Sequence, residues 1–220
     1  MVIHIDEYDP AWPAQARAVI AELQAAHPAL FKAVEHVGST AIPGLPAKPV
    51  IDLMTAVDTL EAVPATLGQG FTLIETGMPD RYFYRRDPTP PTSTNAPDPA
   101  DPPTAHPAEP DGARESEPGG ARESEPGGAR EISAGGGWEL PVHLHVVTWA
   151  SWETRNERLL RDFLLRHADE RAEYGRLKQR LAAAGLDGDG YTRGKTALIQ
   201  RLVDAARDER GLPRVPVWEE

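Results

Sequence analysis

Apolar positions recur at helical spacing near the start of the chain and at strand spacing soon after. Ala16, Val19, Ile20 and Leu23 fall at i, i+3, i+4 and i+7, which predicts an amphipathic helix opened by Asp9 and Pro10. Val34–Val37 reads as a short strand running into Gly38-Ser39-Thr40, and the proline-rich loop Pro43-Gly44-Leu45-Pro46 follows. Val50–Val57, VIDLMTAV, is a nearly continuous apolar run, the pattern of a central strand covered on both faces. Asp58-Thr59-Leu60-Glu61 matches a capping box and predicts a short helix ended by Gly68 or Gly70. Phe71–Glu75 and Arg81–Arg86 predict a β-hairpin, and Leu140–Thr148 a further strand. Three helices are expected after it, over Thr154–His167, Glu170–Ala184 and Thr192–Ala206. Helices grouped around a central sheet place the chain in the α/β or α+β class.

The pattern breaks between Asp87 and Gly137. That stretch holds eleven of the 22 prolines and eight of the 19 glycines, and Ile132 is its only apolar residue apart from alanines. Such a segment cannot bury enough surface to offset the entropy of ordering it, so disorder is expected. Gly112–Pro118, Gly120–Pro126 and Gly128–Glu131 repeat as GARESEP, GARESEP, GARE, low complexity with no hydrophobic face to stack. The insertion divides two strand-like flanks, Tyr82–Arg86 and His143–Val147. Closure entropy grows only with the logarithm of loop length, so these flanks are expected as neighbours in one sheet. Residues 1–86 and 138–210 then form a single domain, 87–137 an insertion, and 211–220 a flexible tail.

Charge sharpens this division. The net charge of −11 includes −7 from the insertion, leaving an ordinary −4 for the rest of the 220 residues. An acidic chain is not expected to bind nucleic acid non-specifically. The absence of cysteine excludes disulfides, zinc–thiolate sites and thiol nucleophiles. Met1–Asp6 has no basic n-region and no apolar stretch after it, and no window approaches the roughly 20 apolar residues of a membrane span. A cytoplasmic protein with no membrane partner is the expectation.

Three groups of residues carry candidate chemistry. Gly38-Ser39, with Thr40, can present backbone N–H groups and a hydroxyl to a phosphate, and Asp52 follows on the buried strand. A carboxylate there is costly unless paired or metal-bound, whereas a Gly-Ser pair alone is a common turn. On the phosphate reading, a side chain at Gly38 would block ligand and leave the fold intact. His143 and His145, two apart on a strand, point to one face. They suit half a metal site or a pair of phosphate donors, or else one packs in the core and one faces solvent. The apolar alternation Leu144, Val146 puts the core on the opposite face. Lys48, Arg81, Arg85, Arg86 and Lys195 supply cations that suit phosphate, each of which can equally be a solvated surface charge. Gly194-Lys195-Thr196 is no P-loop, because Asp189 stands where a glycine is required and no strand precedes it. Asp187-Gly188-Asp189-Gly190 lacks the ligand spacing and terminal glutamate of a calcium loop.

Glu35-His36-Val37-Gly38-Ser39-Thr40-Ala41-Ile42-Pro43-Gly44-Leu45, continuing through Lys48-Pro49-Val50-Ile51-Asp52, resembles the signature of the GrpB family. Tyr8-Asp9-Pro10-Ala11-Trp12-Pro13, His143–Val147, and Tyr191 with Lys195 resemble that family in the same order. The resemblance implies the nucleotidyltransferase fold shared with DNA polymerase β, a mixed sheet flanked by helices with a C-terminal helical segment. It further implies a Gly-Ser turn for nucleotide phosphates and strand carboxylates for a divalent metal. Occurrence of family members fused to dephospho-CoA kinase implies a link to coenzyme A biosynthesis. One departure matters. The superfamily places a second carboxylate two residues after the first, and here Met54 stands there, a poor ligand for a hard cation. Asp52, His143 and His145 could instead turn a magnesium site into a two-histidine, one-carboxylate site for zinc, manganese or iron, and serve as the catalytic set. Gly38, Ser39, Thr40, Lys48, Arg81, Arg85 and Lys195 would then bind the phosphate of a nucleotide or phosphorylated small molecule. A nucleotidyltransferase-type enzyme, a non-catalytic nucleotide- or coenzyme A-related binding module, and a scaffold with a vestigial pocket all remain open.

Overall fold

The structure, a computed structural model, describes residues 3–88 and 140–217. Its elements run α1 (Trp12–Ala26), β1 (Ala33–Val37), β2 (Ile51–Val57), β3 (Thr72–Ile74), β4 (Arg81–Arg86), β5 (Val142–Thr148), α2 (Asn156–Arg166), α3 (Ala168–Ala183) and α4 (Gly188–Asp208). The fold is mixed α+β, with a five-stranded sheet in the order β1-β2-β5-β4-β3. β2 and β5 are parallel and every other pair is antiparallel. As the apolar run of β2 predicts, that strand lies inside the sheet and Leu53, Met54, Ala56 and Val57 are wholly buried. The segment 89–139, nearly all of the expected insertion, lies outside the described residues.

The two faces of the sheet are covered differently. Trp12, Ala16, Val19 and Leu23 of α1 pack onto Ile51, Leu53, Leu144 and Val146. On the other face Val37, Met54, Ala56 and Val147 meet Trp152, from a 3-10 turn ahead of α2. Helices α2 to α4 build a further core of Leu159, Phe163, Leu164, Tyr174, Leu202 and Ala206, joined by Ile42 and Leu45 of the proline-rich loop. That loop thus couples the turn after β1 to the helices. α3 can approach it because residue 175 is glycine, where a Cβ would stand 3.2 Å from Pro46 Cδ.

Two expected elements change. The capping box at Asp58 yields only a 3-10 turn, Leu60–Ala62, with no side-chain cap from Thr59. Val63 precedes Pro64, adopts an extended conformation (φ −82, ψ 122) and stops any helix. Asp58 pairs with Lys32 instead. α4 starts four residues earlier than predicted, because Asp187 Oδ1 accepts the Gly190 N–H at 2.7 Å and caps it. Beyond α4 the segment expected as a tail runs back along the helix as far as it is described. Gln200 Nε2 donates to Val215 O at 3.0 Å, and Gln200 Oε1 accepts from Val217 N at 2.9 Å. Among the described residues no helix is long and apolar enough to cross a membrane.

β4 and β5 pair up to Arg86 and Val142, so residues 87–141 connect antiparallel neighbours. Deleting Thr89–Gly136 and closing with a short Gly/Ser turn should change stability in denaturant by no more than about 2 kcal/mol. A larger loss would mean that the deleted segment packs on the sheet.

Candidate functional site

β1 ends at Val37, whose partner across the sheet is Asp52. The chain then turns at Gly38 (φ 70, ψ −171), a conformation essentially reserved for glycine. A Cβ at Gly38 would stand 2.8 Å from Asp52 Cβ and 2.9 Å from its Cγ, and would run into Oδ2. The turn therefore lies directly on the carboxylate. This corrects the expectation that a side chain at Gly38 would spare the fold, since Asp52 already fills that space. Thr40, 1 % exposed, donates its hydroxyl proton to Val50 O at 2.9 Å and accepts from His36 Nε2 at 2.9 Å. Its hydroxyl pins the turn from both sides, leaving no proton for a ligand. Burial pushes the His36 imidazole down to about 4, with the nearby Arg161 guanidinium adding to that effect and Asp52 opposing it. It is neutral at pH 7 and donates to Thr40.

The parallel pairing of β2 with β5 sets Asp52 beside His143 and Met54 beside His145. Both histidines thus share the Asp52 face, while Leu144 and Val146 enter the α1 core, as the alternation predicts. His143 Nδ1 stands 3.2 Å from Asp52 Oδ1. His145 is 4 % exposed, its ring centroid 5.0 Å from that of Phe83, within the electrostatic reach of Glu157 on α2. Burial alone would raise the Glu157 carboxyl, but Arg81 and His145 outweigh it and hold it low. Two of the three expected metal ligands are thus brought together. Among the described residues no group of three His, Asp or Glu side chains is placed to hold a metal ion.

The expected cations divide. Lys48 and Lys195 converge, their Nζ atoms 4.7 and 4.6 Å from the centroid of the Tyr191 ring. Burial lowers the Lys48 ammonium, against the pull of Asp52. Arg81 and Arg85 share the site's face of β4, since they pair with Val147 and His143. Arg81 is buried against Glu157 and Asp80, whereas Arg85 is half exposed at the rim and paired with Asp87 at 2.6 Å. Arg86 points to the other face and bonds Glu22 at 3.0 Å.

Two further residues come from α3 and were not singled out in the sequence. Tyr174 lines the cleft with Ser39, and burial raises its hydroxyl to about 12. Lys178, one turn on, is 2 % exposed, with Nζ 4.7 Å from the Tyr174 ring centroid and no hydrogen-bond partner among the described residues. Burial first, then Lys195, lower its ammonium to about 7, with Asp52 opposing. Their i, i+4 spacing was the available signal, but α3 carries charge all round and reads as a solvated helix.

Gly38, Ser39, Asp52, His145, Tyr174 and Lys195 line one cleft of about 730 Å³, whereas His143, Lys48 and Lys178 are not part of its lining. Glu35 of β1 fastens the helices to the sheet beside it. Arg158 reaches this carboxylate with two bonds of 3.1 and 3.0 Å, and Arg161 lies 2.8 Å away. Chemically, the arrangement places a hydroxyl, a lysine ammonium and a carboxylate on one cleft, with His143 paired to the carboxylate.

Comparison with known proteins is consistent with this geometry. The sequence profile described as GrpB protein matches residues 2–96 and 121–205. A UPF0157 protein of Pseudomonas aeruginosa is 27 % identical over 203 residues, covering 90 % of this chain and 65 % of its own length. A dephospho-CoA kinase of Mycolicibacterium paratuberculosis is 38 % identical over 98 residues, 36 % of this chain and 24 % of the kinase. The chain therefore spans less than two thirds of the length of either of these curated relatives. The crystal structure of conserved protein GrpB from Enterococcus faecalis superposes with a TM-score of 0.64 at 22 % identity, covering 94 % of this chain and 99 % of that one. At that identity it shares the fold.

Proposed function

The chain belongs to the GrpB family, and on that premise we propose that its cleft binds a nucleotide or another phosphorylated small molecule, on which it acts as a nucleotidyltransferase-type enzyme. The observation that carries this reading is that Ser39, Lys195 and Asp52 line one cleft, with Lys48 within electrostatic reach of the same carboxylate, in a protein of net charge −11. A lysine ammonium suits an anionic group, and a Gly-Ser turn lets one approach the backbone. The match to a dephospho-CoA kinase makes precursors of coenzyme A ligands to test.

Asp52 fits magnesium, which binds through one or two carboxylates and completes its shell with water and substrate phosphates. A zinc site built from this chain alone would need at least three protein ligands, which the described residues do not assemble. When bound, a divalent ion would neutralise charge on the phosphate. Asp52 would hold it, His143 would orient Asp52, and Lys195 would bind the phosphate. Met54 favours a second reading, a binding module without turnover. It is wholly buried among Val37, Ala56, Val147 and Trp152, where the superfamily keeps a second carboxylate.

Thermal-shift measurements with nucleotides and coenzyme A precursors, each with and without Mg²⁺, Mn²⁺ or Zn²⁺, test the binding. Ser39→Ala and Lys195→Ala should each weaken the active ligand about tenfold or more, the worth of a charge-assisted hydrogen bond. Affinity unchanged in both variants would overturn the site. Product formation by the parent separates the enzyme from the binding module.

A further inference from the structure

The cleft is far larger than a phosphate, and much of its lining is apolar. Ile199 and Val203 lie one and two turns on from Lys195 along α4, and Leu160 and Leu164 of α2 and Ile42 of the proline-rich loop also line it. Several of the polar side chains that line it are bonded to protein groups. Arg155 holds Asp80 Oδ2 at 2.5 Å and Ser151 at 3.1 Å. Arg207 donates to Thr154 O at 3.0 Å and to Asn156 Oδ1 at 2.7 Å. Thr154 donates to Ser151 O at 3.1 Å, and Thr196 to Thr192 O at 3.4 Å.

Hydrogen-bond recognition of a base or sugar needs donors and acceptors not already bonded, because an unmatched polar group loses its water without compensation. An apolar wall favours the reverse, an organic group with few polar atoms, held by area and shape. We infer that the ligand of this cleft is a phosphate monoester whose organic part is predominantly apolar, its phosphate at Ser39 and Lys195 and its hydrocarbon or aromatic body along Leu160, Ile199 and Val203. This rests on the phosphate reading above and narrows the occupant of this cleft from nucleotides to other phosphorylated small molecules. Ribose and other polyhydroxylated bodies are disfavoured, because their hydroxyls would face aliphatic side chains.

The test is calorimetric titration of the full chain with hexyl phosphate, ribose 5-phosphate and hexanol. Hexyl phosphate should bind at least tenfold more tightly than ribose 5-phosphate. Ile199→Ser should remove most of that preference and leave ribose 5-phosphate affinity within about threefold. Leu160→Ala provides a second, milder variant should Ile199→Ser fail to fold. Ribose 5-phosphate binding as tightly as hexyl phosphate, or a preference untouched by either variant, overturns the apolar body and leaves the phosphate site standing. Hexanol binding as tightly as hexyl phosphate, or no binding of either phosphate, overturns the phosphate reading and this inference with it.

Discussion

Lys178→Met should make the protein more stable, by about 5 kcal/mol at pH 6, and by much less at pH 10. The lysine is 2 % exposed, its Nζ has no hydrogen-bond partner among the described residues, and its pKa falls from 10.5 to about 7. Burial is the main cause, Lys195 adds to it, and Asp52 offsets part of it. The folded pKa lies below the unfolded one, so the unfolded chain holds the proton more tightly. The penalty is therefore complete below about pH 7 and fades as pH rises towards 10.5. The parent should gain stability relative to Lys178→Met across that window. The figure is an upper bound, because methionine also gives up the contact with Tyr174. Urea unfolding of both proteins at the two pH values decides it, and a variant less stable than the parent at pH 6 would mean that Lys178 is paired in the fold. A residue that costs stability and lies beside the cleft is the pattern expected of a functional group.

Gly38→Val should lose both ligand binding and several kcal/mol of stability. The backbone at φ 70, ψ −171 costs a non-glycine residue about 1–3 kcal/mol before any contact is considered. The added Cβ would also press on Asp52, where even Cβ is only 2.8 Å away. For that reason Asp52→Ala should not rescue Gly38→Val, although it removes the carboxylate. Denaturant unfolding of the single and double variants measures this. Full rescue would mean that the carboxylate alone makes the conflict, and a fully stable Gly38→Val would mean that the turn can relax away from β2.

The sheet was largely legible in the sequence because its signals are local. VIDLMTAV has the composition of a strand buried on both faces, and β2 is one. The period-two alternation of His143, Leu144, His145 and Val146 assigned its two faces correctly. Pairing of β4 with β5 followed from the cost of closing a loop, which does not depend on what the loop contains. Failures came where a local signal met a non-local competitor. Thr59 does not cap a helix because Pro64 forbids one, and Asp187 opens α4 at Gly188, four residues ahead of the expected Thr192. Lys178 was invisible for a different reason. Nothing in ADERAEYGRLKQRLAA separates a buried lysine from a solvated one, and its burial depends on Gly175 letting α3 close on Pro46.

Asp52 belongs to the sheet and Ser39 to the turn that leaves it, Tyr174 and Lys195 belong to the helices, and Glu35 with Arg158 and Arg161 bolts sheet and helices together close by. The cleft is therefore a seam, and whatever fills it acts as a rivet. The free energy of binding and that of holding the seam shut are one quantity read in two ways. Damage to the bolt at Glu35 should then surface as poor affinity even though that carboxylate is engaged by arginines, and a ligand in the cleft should repair much of it.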